Sequence, residues 1–185
     1  MYRALLLSDT LVPSRHAGVP QIFSDIWRTS KLTHIIAAGN LGSSYVYRSL
    51  CNLVGADHVH VVKGNEDPTV FLADGAKVKP PDWAAASLGC LKLALVHSGP
   101  QSADDTRRTV QRSLGKCDVI VMGGGDIPCA EEVAGTYILR PGNAAGEAPT
   151  FMILTWSDKT QAVLYLYSLT DGRVDVEQTE LTCTV

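Results

Sequence analysis

Short apolar runs alternate with amphipathic segments over the first two thirds of the chain. The runs are rich in Ile, Val, Leu and Ala, and they comprise Ala4–Leu7, His34–Ala38, His58–Lys63, Leu91–His97 and Asp118–Met122. A run that is apolar at successive positions presents apolar side chains to both faces of a strand. We therefore predict strands of a sheet that is covered on both sides.

Amphipathic segments lie between these runs. Residues Pro20–Thr29 and Ser44–Val54 carry apolar side chains at spacings of three and four, which is typical of a helix with one buried face. Ser102 stands three residues before Asp105, a spacing that predicts an N-cap and a helix reaching about Leu114. Strands joined by helices favour right-handed crossovers and a largely parallel sheet.

The last third of the chain has a different pattern. Residues 130–139 indicate a hairpin that turns at Ala134-Gly135. Apolar stretches then follow at Pro149–Trp156, Gln161–Leu169 and Arg173–Leu181. The polar segments Ser157–Thr160 and Thr170–Gly172 between them are typical of hairpin turns, so we predict an antiparallel meander. The stretch Asp74–Ala86 has no clear period and is interpreted as a loop or irregular strand.

Composition narrows the class of protein. The chain has 185 residues, of which 45% are hydrophobic and 19% are charged, with a formal net charge of -3. These values predict one domain over residues 1–185 and exclude a disordered chain. The weak negative charge argues against broad electrostatic binding to nucleic acid or anionic membranes. The apolar runs are far shorter than the ~20 residues that a membrane-spanning helix needs. The N-terminal apolar run ends at Ser8-Asp9, too early for a signal peptide. Both observations favour a soluble intracellular protein.

The cysteines are widely scattered, with no Cys-x-x-Cys pair, at Cys51, Cys90, Cys117, Cys129 and Cys183. A disulfide framework or a thiolate zinc site would need closer, paired spacing. We interpret these residues as free thiols in a reducing compartment.

Polar residues and glycines follow the predicted parallel strands at their carboxyl ends. The segments are Ser8-Asp9-Thr10-Leu11, Gly39-Asn40-Leu41, Gly64-Asn65-Glu66-Asp67, His97-Ser98-Gly99 and Gly123-Gly124-Gly125-Asp126. Sites in open α/β sheets form at this edge, so we expect these segments to lie together.

This series resembles the motifs of the calcineurin-like metallophosphoesterases in a degenerate form. The resemblance implies an α/β fold with two packed β-sheets flanked by helices. In working members of that family, Asp, Asn and His side chains hold two divalent metals that clamp a phosphoryl group. Here Asp9, Asn65 and His97 match ligand positions, Asn40 replaces the bridging aspartate, and Asp126 replaces a histidine.

Other positions of the motifs depart from the family further. Leu11 and Gly124 stand at ligand positions and offer no ligating side chain, and Glu66 stands where the catalytic histidine is expected. In the family, the bridging aspartate compensates part of the charge of the two metal ions. Asn40 is neutral, so two divalent cations at this site would lack that compensation. We therefore expect no enzyme activity and no required cofactor; one divalent metal, Mn or Zn, could bind weakly.

The resemblance narrows to a non-catalytic branch, the small subunits of the retromer trafficking complex. The residues that carry it are 5–9, 34–41, 59–64, 93–97, 118–123, 137–146, 163–167 and 174–177. Members of the branch usually keep Gly-His-Thr-His where this chain has Gly123–Asp126, and Pro80–Ala86 looks like an insertion.

This narrower resemblance implies a scaffold with two binding faces. The loops of the former metal site would bind the large helical-solenoid subunit of retromer. An apolar patch that includes Ile153, Tyr167 and Val176 would recruit regulatory proteins. The protein would then be cytoplasmic and peripheral on endosomal membranes through the complex, with no direct membrane insertion and no nucleic-acid partner.

Other interpretations stay open. The site residues could serve a divergent divalent-metal-dependent phosphodiesterase or phosphatase, or the chain could be a monomeric adaptor. Gly39–Ser44 or Gly123–Gly125 could hold a phosphate, but the first lacks the lysine of a P-loop and no helix follows the second. Asp9 and Asn40 could also be ordinary turn residues.

Overall fold

The computed structural model describes residues 1–73, 75–99, 102–157 and 161–182. The described helices are α1 (Gln21–Thr29), α2 (Ser44–Val54) and α3 (Ala103–Leu114), with a 3₁₀ turn at Ala56–His58. The described strands are β1 (Tyr2–Leu7), β2 (His34–Ala37), β3 (Val59–Val61), β4 (Phe71–Ala73), β5 (Ala76–Val78), β6 (Trp83–Leu88), β7 (Leu91–Val96), β8 (Val119–Met122), β9 (Cys129–Val133), β10 (Thr136–Arg140), β11 (Thr150–Trp156), β12 (Gln161–Thr170) and β13 (Arg173–Thr182).

The strands form two large sheets and a small hairpin. The first sheet has the order β13-β12-β11-β1-β2-β3, the second has the order β6-β7-β8-β10-β9, and β4 pairs with β5. Parallel pairs occupy one part of each sheet, namely β1–β2–β3 and β7–β8–β10, and the remaining pairs are antiparallel. The prediction of parallel strands is therefore confirmed for β1, β2, β3, β7 and β8, whereas β10 was not predicted to be parallel.

The space between the two sheets is an apolar core. Ala4 and Leu6 of β1 and Ile36 of β2 pack in one cluster with Leu95 and Val121 of the second sheet. The alternate residues of the first sheet, such as Leu5 and Leu7, face the helices. Both faces of β1 are therefore buried, which confirms the interpretation of its uninterrupted apolar run.

Helices α1 and α2 cover the outer face of the first sheet around Phe151. The ring of Phe151 lies 4.6 Å from that of Phe23, 5.6 Å from that of Trp27 and 4.6 Å from that of Tyr167, between ring centroids. Ser43 caps α2 through its hydroxyl, which accepts from the Val46 amide. The bounds of α2 agree with those predicted from its apolar spacing.

Helix α3 covers the outer face of the second sheet. The Ser102 hydroxyl accepts from the Asp105 amide at 3.2 Å, so the predicted N-cap is confirmed. Val110 on the buried face of α3 packs with Ala94, Ile120 and Ile138 of the sheet. This cluster is smaller than the two clusters around the first sheet.

Two predictions about the strands were incomplete. The hairpin of residues 130–139 forms, but it joins the second sheet, because β10 pairs in parallel with β8. The predicted continuous meander is therefore wrong for this hairpin and holds for β11, β12 and β13. The segment interpreted as a loop or irregular strand contains β5 and most of β6, which is the antiparallel partner of β7. The run of small Ala and Ser residues in β6 has no clear hydrophobic period. Asp74 and the turn residues 158–160 lie outside the described residues.

The four described cysteines are free thiols, and Cys183 lies outside the described part of the chain. Burial raises the pKa of Cys117 to about 11, so this thiol stays protonated at neutral pH. Among the described residues, no helix is long and apolar enough to cross a membrane.

Three histidines lie together where β2 and β3 begin. The ring of His34 lies 5.1 Å from that of His58 and 6.2 Å from that of His60, between centroids. Burial, with the neighbouring His58 and His60, lowers the pKa of His34 below its ordinary value, and burial with His58 lowers the pKa of His60. The folded protein therefore resists protonation of both side chains more than the unfolded chain does.

We predict that stability falls as the pH falls below about 6.5, the pKa of an unperturbed histidine, because the unfolded chain takes up these protons first. Above that pH both states are neutral at His34 and His60, and the decline levels off below their folded pKa values. Urea unfolding between pH 7.5 and pH 5.5 measures the effect. The double variant His34→Gln/His60→Gln should show a shallower decline, and an equal decline would contradict the assignment.

Candidate functional site at the strand ends

The carboxyl ends of the parallel strands meet at one edge and enclose an open pocket of about 440 Å³. All of the predicted metal-site residues line it, namely Asp9, Asn40, Asn65, His97 and Asp126. Leu11, Arg15, Glu66, Gly124 and Asn143 complete much of the wall. A larger depression of about 550 Å³ lies between α1 and α2 and contains none of the predicted site residues.

Asp9 follows β1 and is held by donors from both halves of the molecule. Its Oδ2 accepts from the Ser8 hydroxyl at 2.7 Å and from the Gly124 amide at 2.9 Å. Its Oδ1 accepts from the Asn40 side-chain amide at 2.8 Å. These donors satisfy a buried carboxylate without an external cation.

Asn40 bridges Asp9 and the loop after β3. Its Nδ2 donates to Asp9, and its Oδ1 accepts from the Glu66 amide at 3.0 Å. Asn40 has a φ of 55°, in the left-handed region that asparagine tolerates, so its predicted role as a turn residue is confirmed. The loop passes so closely that a Cβ on Gly64 would lie 2.2 Å from Asn40 Oδ1.

Asp67 is a structural residue of the site that the sequence analysis did not select. Its carboxylate accepts from the amides of Asn40 at 2.7 Å, Gly64 at 2.8 Å and Gly42 at 2.9 Å. Asp67 therefore ties the loop after β2 to the loop after β3. A carboxylate at the end of Gly64-Asn65-Glu66-Asp67, three residues after a glycine, was the available signal.

His97 follows β7 and is 5% exposed. Its Nδ1 lies 2.7 Å from the Ala38 carbonyl oxygen, and a carbonyl can only accept, so Nδ1 carries the hydrogen. In the tautomer that this hydrogen bond selects, Nε2 is a hydrogen-bond acceptor on the pocket side. No donor to Nε2 occurs among the described residues.

The rim of the pocket carries charged and polar side chains. Asp126 Oδ1 accepts from Asn143 Nδ2 at 2.9 Å, and Arg15 forms an ion pair with Glu66. Glu66, at the position of the catalytic histidine, is thus engaged by a guanidinium. Ile127, next to Asp126, is 80% exposed.

The residues present do not fit a centre of two divalent metals. Both oxygens of Asp9 accept internal hydrogen bonds, and Leu11 and Gly124 supply no ligand. A Cβ on Gly124, which has a φ of 67°, would lie 2.9 Å from the His97 carbonyl oxygen, so a histidine cannot occupy this position in the present backbone. Among the described residues, no group of three or more His, Cys, Asp or Glu could hold a metal ion.

Comparison with known proteins supports this fold. A family profile, the calcineurin-like phosphoesterase superfamily domain, matches residues 3–159. The chain belongs to the calcineurin-like phosphoesterase superfamily. The α/β sandwich expected from the resemblance is thereby confirmed.

Within the superfamily, the chain is similar to Vps29 proteins over nearly its whole length. It is 25% identical to vacuolar protein sorting-associated protein 29 of Schizosaccharomyces pombe, over 94% of this chain and 95% of that protein. The structure of Vps29 from Cryptosporidium parvum has a TM-score of 0.88 at 26% identity, with 98% of each chain covered. Wild-type Vps29 of Entamoeba histolytica in complex with zinc has a TM-score of 0.77 at 30% identity, with 96% of this chain and 98% of that chain covered. The predicted branch of the superfamily is therefore confirmed.

The residues of the predicted apolar patch lie at different depths. Ile153 on β11 is 2% exposed and belongs to the core beneath α1 and α2, so it supports the patch from below. Tyr167 on β12 is half-buried, with its ring stacked on Phe151. Val176 on β13 pairs with Tyr167 and is 50% exposed. The accessible part of the patch is therefore formed by β12 and β13.

We predict that Asp67→Ala lowers the free energy of unfolding by about 3 kcal/mol or more, because three backbone amides lose their acceptor. The matched control is Asn65→Ala in the same loop, where the side chain is exposed and the expected change is within about 0.5 kcal/mol. Urea unfolding monitored by circular dichroism measures both. Equal stability of the two variants would contradict the role assigned to Asp67.

Proposed function

We propose that this chain is a non-catalytic scaffold subunit of a retromer complex, bound through its strand-end loops to the large helical-solenoid subunit. The observation that carries the proposal is the closed network of Asp9, Asn40 and Gly124, at the place where metallophosphoesterases hold their metals. The similarity to Vps29 proteins supports the same function. The protein is then cytoplasmic and reaches the endosomal membrane through the complex.

The site lacks the means for phosphoester hydrolysis. That reaction requires metals that generate a hydroxide and stabilise the charge on the phosphoryl group. The Asp9 carboxylate is already satisfied by internal donors, and Glu66 is paired with Arg15. The proposal therefore requires no cofactor, and any Mn or Zn binds weakly through one or two exposed oxygens.

The strand-end face suits a protein partner. Its loops are fixed to each other by Asp9 and Asp67, so binding requires little further ordering of this chain. Ile127 offers an exposed apolar side chain beside the polar rim of Arg15, Glu66 and Asp126. An apolar contact surrounded by polar groups is the usual composition of a protein interface.

A second face is proposed to bind regulatory proteins. Phe151, Tyr167 and Val176 form a cross-strand row from the buried β11 to the exposed β13. A tyrosine ring fixed by stacking provides a rigid contact with a low entropic cost on binding. This face uses strands that contribute none of the residues lining the strand-end pocket.

The alternative function is a divergent divalent-metal-dependent phosphodiesterase. One observation favours it: Asp9, Asn40, Asn65, His97 and Asp126 all line the same pocket. On this alternative, calorimetry would show tight binding of manganese or zinc that disappears in Asp9→Ala.

We predict that the chain co-elutes with the recombinant large helical-solenoid subunit and does not hydrolyse an aryl phosphate in the presence of manganese. Gel filtration of the mixture and a colorimetric phosphate assay test the two statements. A separate elution of the two chains, together with manganese-dependent turnover, would refute the scaffold function and support the alternative.

We further predict that Ile127→Asp weakens binding to the large subunit at least roughly tenfold, because it places a charge in a desolvated apolar contact. Tyr167→Asp, the matched charge on the other face, should change this affinity less than about twofold. Calorimetric titration measures both variants. The reverse order of effects would show that the solenoid binds the β12–β13 face.

A further inference from the structure

We propose that the strand-end pocket receives a basic side chain, a lysine ammonium or an arginine guanidinium, from the large helical-solenoid subunit. This inference rests on the proposed function and specifies the chemistry of that interface. The cation of the partner would occupy the pocket in which catalytic relatives hold metal cations. The proposal depends on an unpartnered acceptor, on the charge of the pocket and on the geometry of its polar atoms.

The acceptor is Nε2 of His97. The ring is almost fully buried, and its Nδ1–H is committed to the Ala38 carbonyl oxygen at 2.7 Å. Nε2 therefore presents a lone pair, and a Cβ built on Gly124 in the pocket wall would lie 3.6 Å from it. His97 lines the open pocket and its Nε2 has no donor among the described residues, so a donor from a partner can pair with it.

The charge of the pocket selects a positive donor. Asp9, Glu66 and Asp126 line it with three carboxylates, and Arg15 contributes the one guanidinium among the described lining residues. Three negative charges against one positive charge leave two negative charges, with the histidines counted as neutral. One oxygen of Asp126 accepts from Asn143, and its other oxygen has no donor among the described residues. Complementary charge of this kind directs both partner choice and orientation.

The geometry favours a side chain over a metal ion. A bound transition metal needs several ligand atoms converging at about 2.0–2.2 Å, and the described residues include no group of three or more His, Cys, Asp or Glu that could do this. An ammonium or guanidinium donates at about 2.7–2.9 Å and tolerates acceptors spread around a pocket. The remaining acceptors, His97 Nε2 and Asp126, suit the second kind of ligand.

The experiment introduces a lysine ammonium into the pocket by substitution of Asp126. Asp126→Lys should weaken binding of the recombinant large subunit roughly 30-fold or more, because an internal ammonium repels the incoming one. Asp126→Met introduces an uncharged side chain of a length similar to that of lysine, and it should have a smaller effect. Glu132→Lys, the same charge reversal on the exposed strand β9 outside the pocket, should change the affinity less than about twofold.

A second measurement identifies the partner's side chain. Replacing each Lys and Arg on the contact helices of the large subunit by Met should reveal one whose loss weakens binding roughly 30-fold. That substitution should be non-additive with Asp126→Met in a double-mutant cycle. If EDTA abolishes binding of the large subunit, the pocket holds a metal ion at the interface, and the proposal is overturned.

The outcomes separate this inference from the function on which it rests. If the wild-type chain does not bind the large subunit, the scaffold function itself fails. If the wild-type chain binds and Asp126→Lys binds equally well, only the basic-side-chain proposal fails. Equal weakening by Asp126→Lys and Asp126→Met would show that side-chain shape, and not charge, determines the contact, and would overturn it as well.

Discussion

The carboxylate of Asp9 joins the two sheets at the edge that carries the strand-end pocket, as the hydrogen bond between His97 and the Ala38 carbonyl also does. Its donors come from the end of β1, from the loop after β2 and, through the Gly124 amide, from the loop after β8 in the other sheet. A buried ionised carboxylate requires such donors, or a cation, in place of its water. These donors hold the loops around Asp9 to each other, and Asp67 joins the loop after β3 to the loop after β2 in the same way.

The network has a chemical consequence. The Gly124 amide and the Ser8 hydroxyl both donate to Oδ2 of Asp9, and together they occupy the two lone pairs of that oxygen. Gly124 is also confined to glycine by its backbone conformation and by the nearby His97 carbonyl, so the loop that donates this hydrogen bond excludes a ligating side chain. The glycine at position 124 and the hydrogen bond from its amide to Asp9 therefore belong to one loop conformation.

The sequence allowed prediction of features that depend on side-chain spacing. The bounds of helix α2 were predicted correctly from its apolar spacing alone, and the structure adds the cap at Ser43 and the end at Gly55. Asp9, Asn40 and His97 were placed together because parallel strands share one carboxyl edge. Asp67 was missed because its partners are backbone amides, which leave no mark on a residue pattern. The sheet to which β9 and β10 belong was missed because a hairpin pattern does not specify its neighbour.

The depth of the patch follows from the topology of the first sheet. Strand β11 lies between β1 and β12, and helix α1 covers it, so Ile153 and Phe151 are buried. Exposure begins only on β12 and β13, beyond the helix. The segment before β11 is tied to the pocket, since the Ala144 amide donates to the Ser8 carbonyl and the Thr150 amide donates to the Asn143 carbonyl. The residues beneath β12 and β13 and the residues around Asp9 are therefore joined by one continuous stretch of backbone, which holds the strand-end pocket and the β12–β13 face in a constant relative orientation.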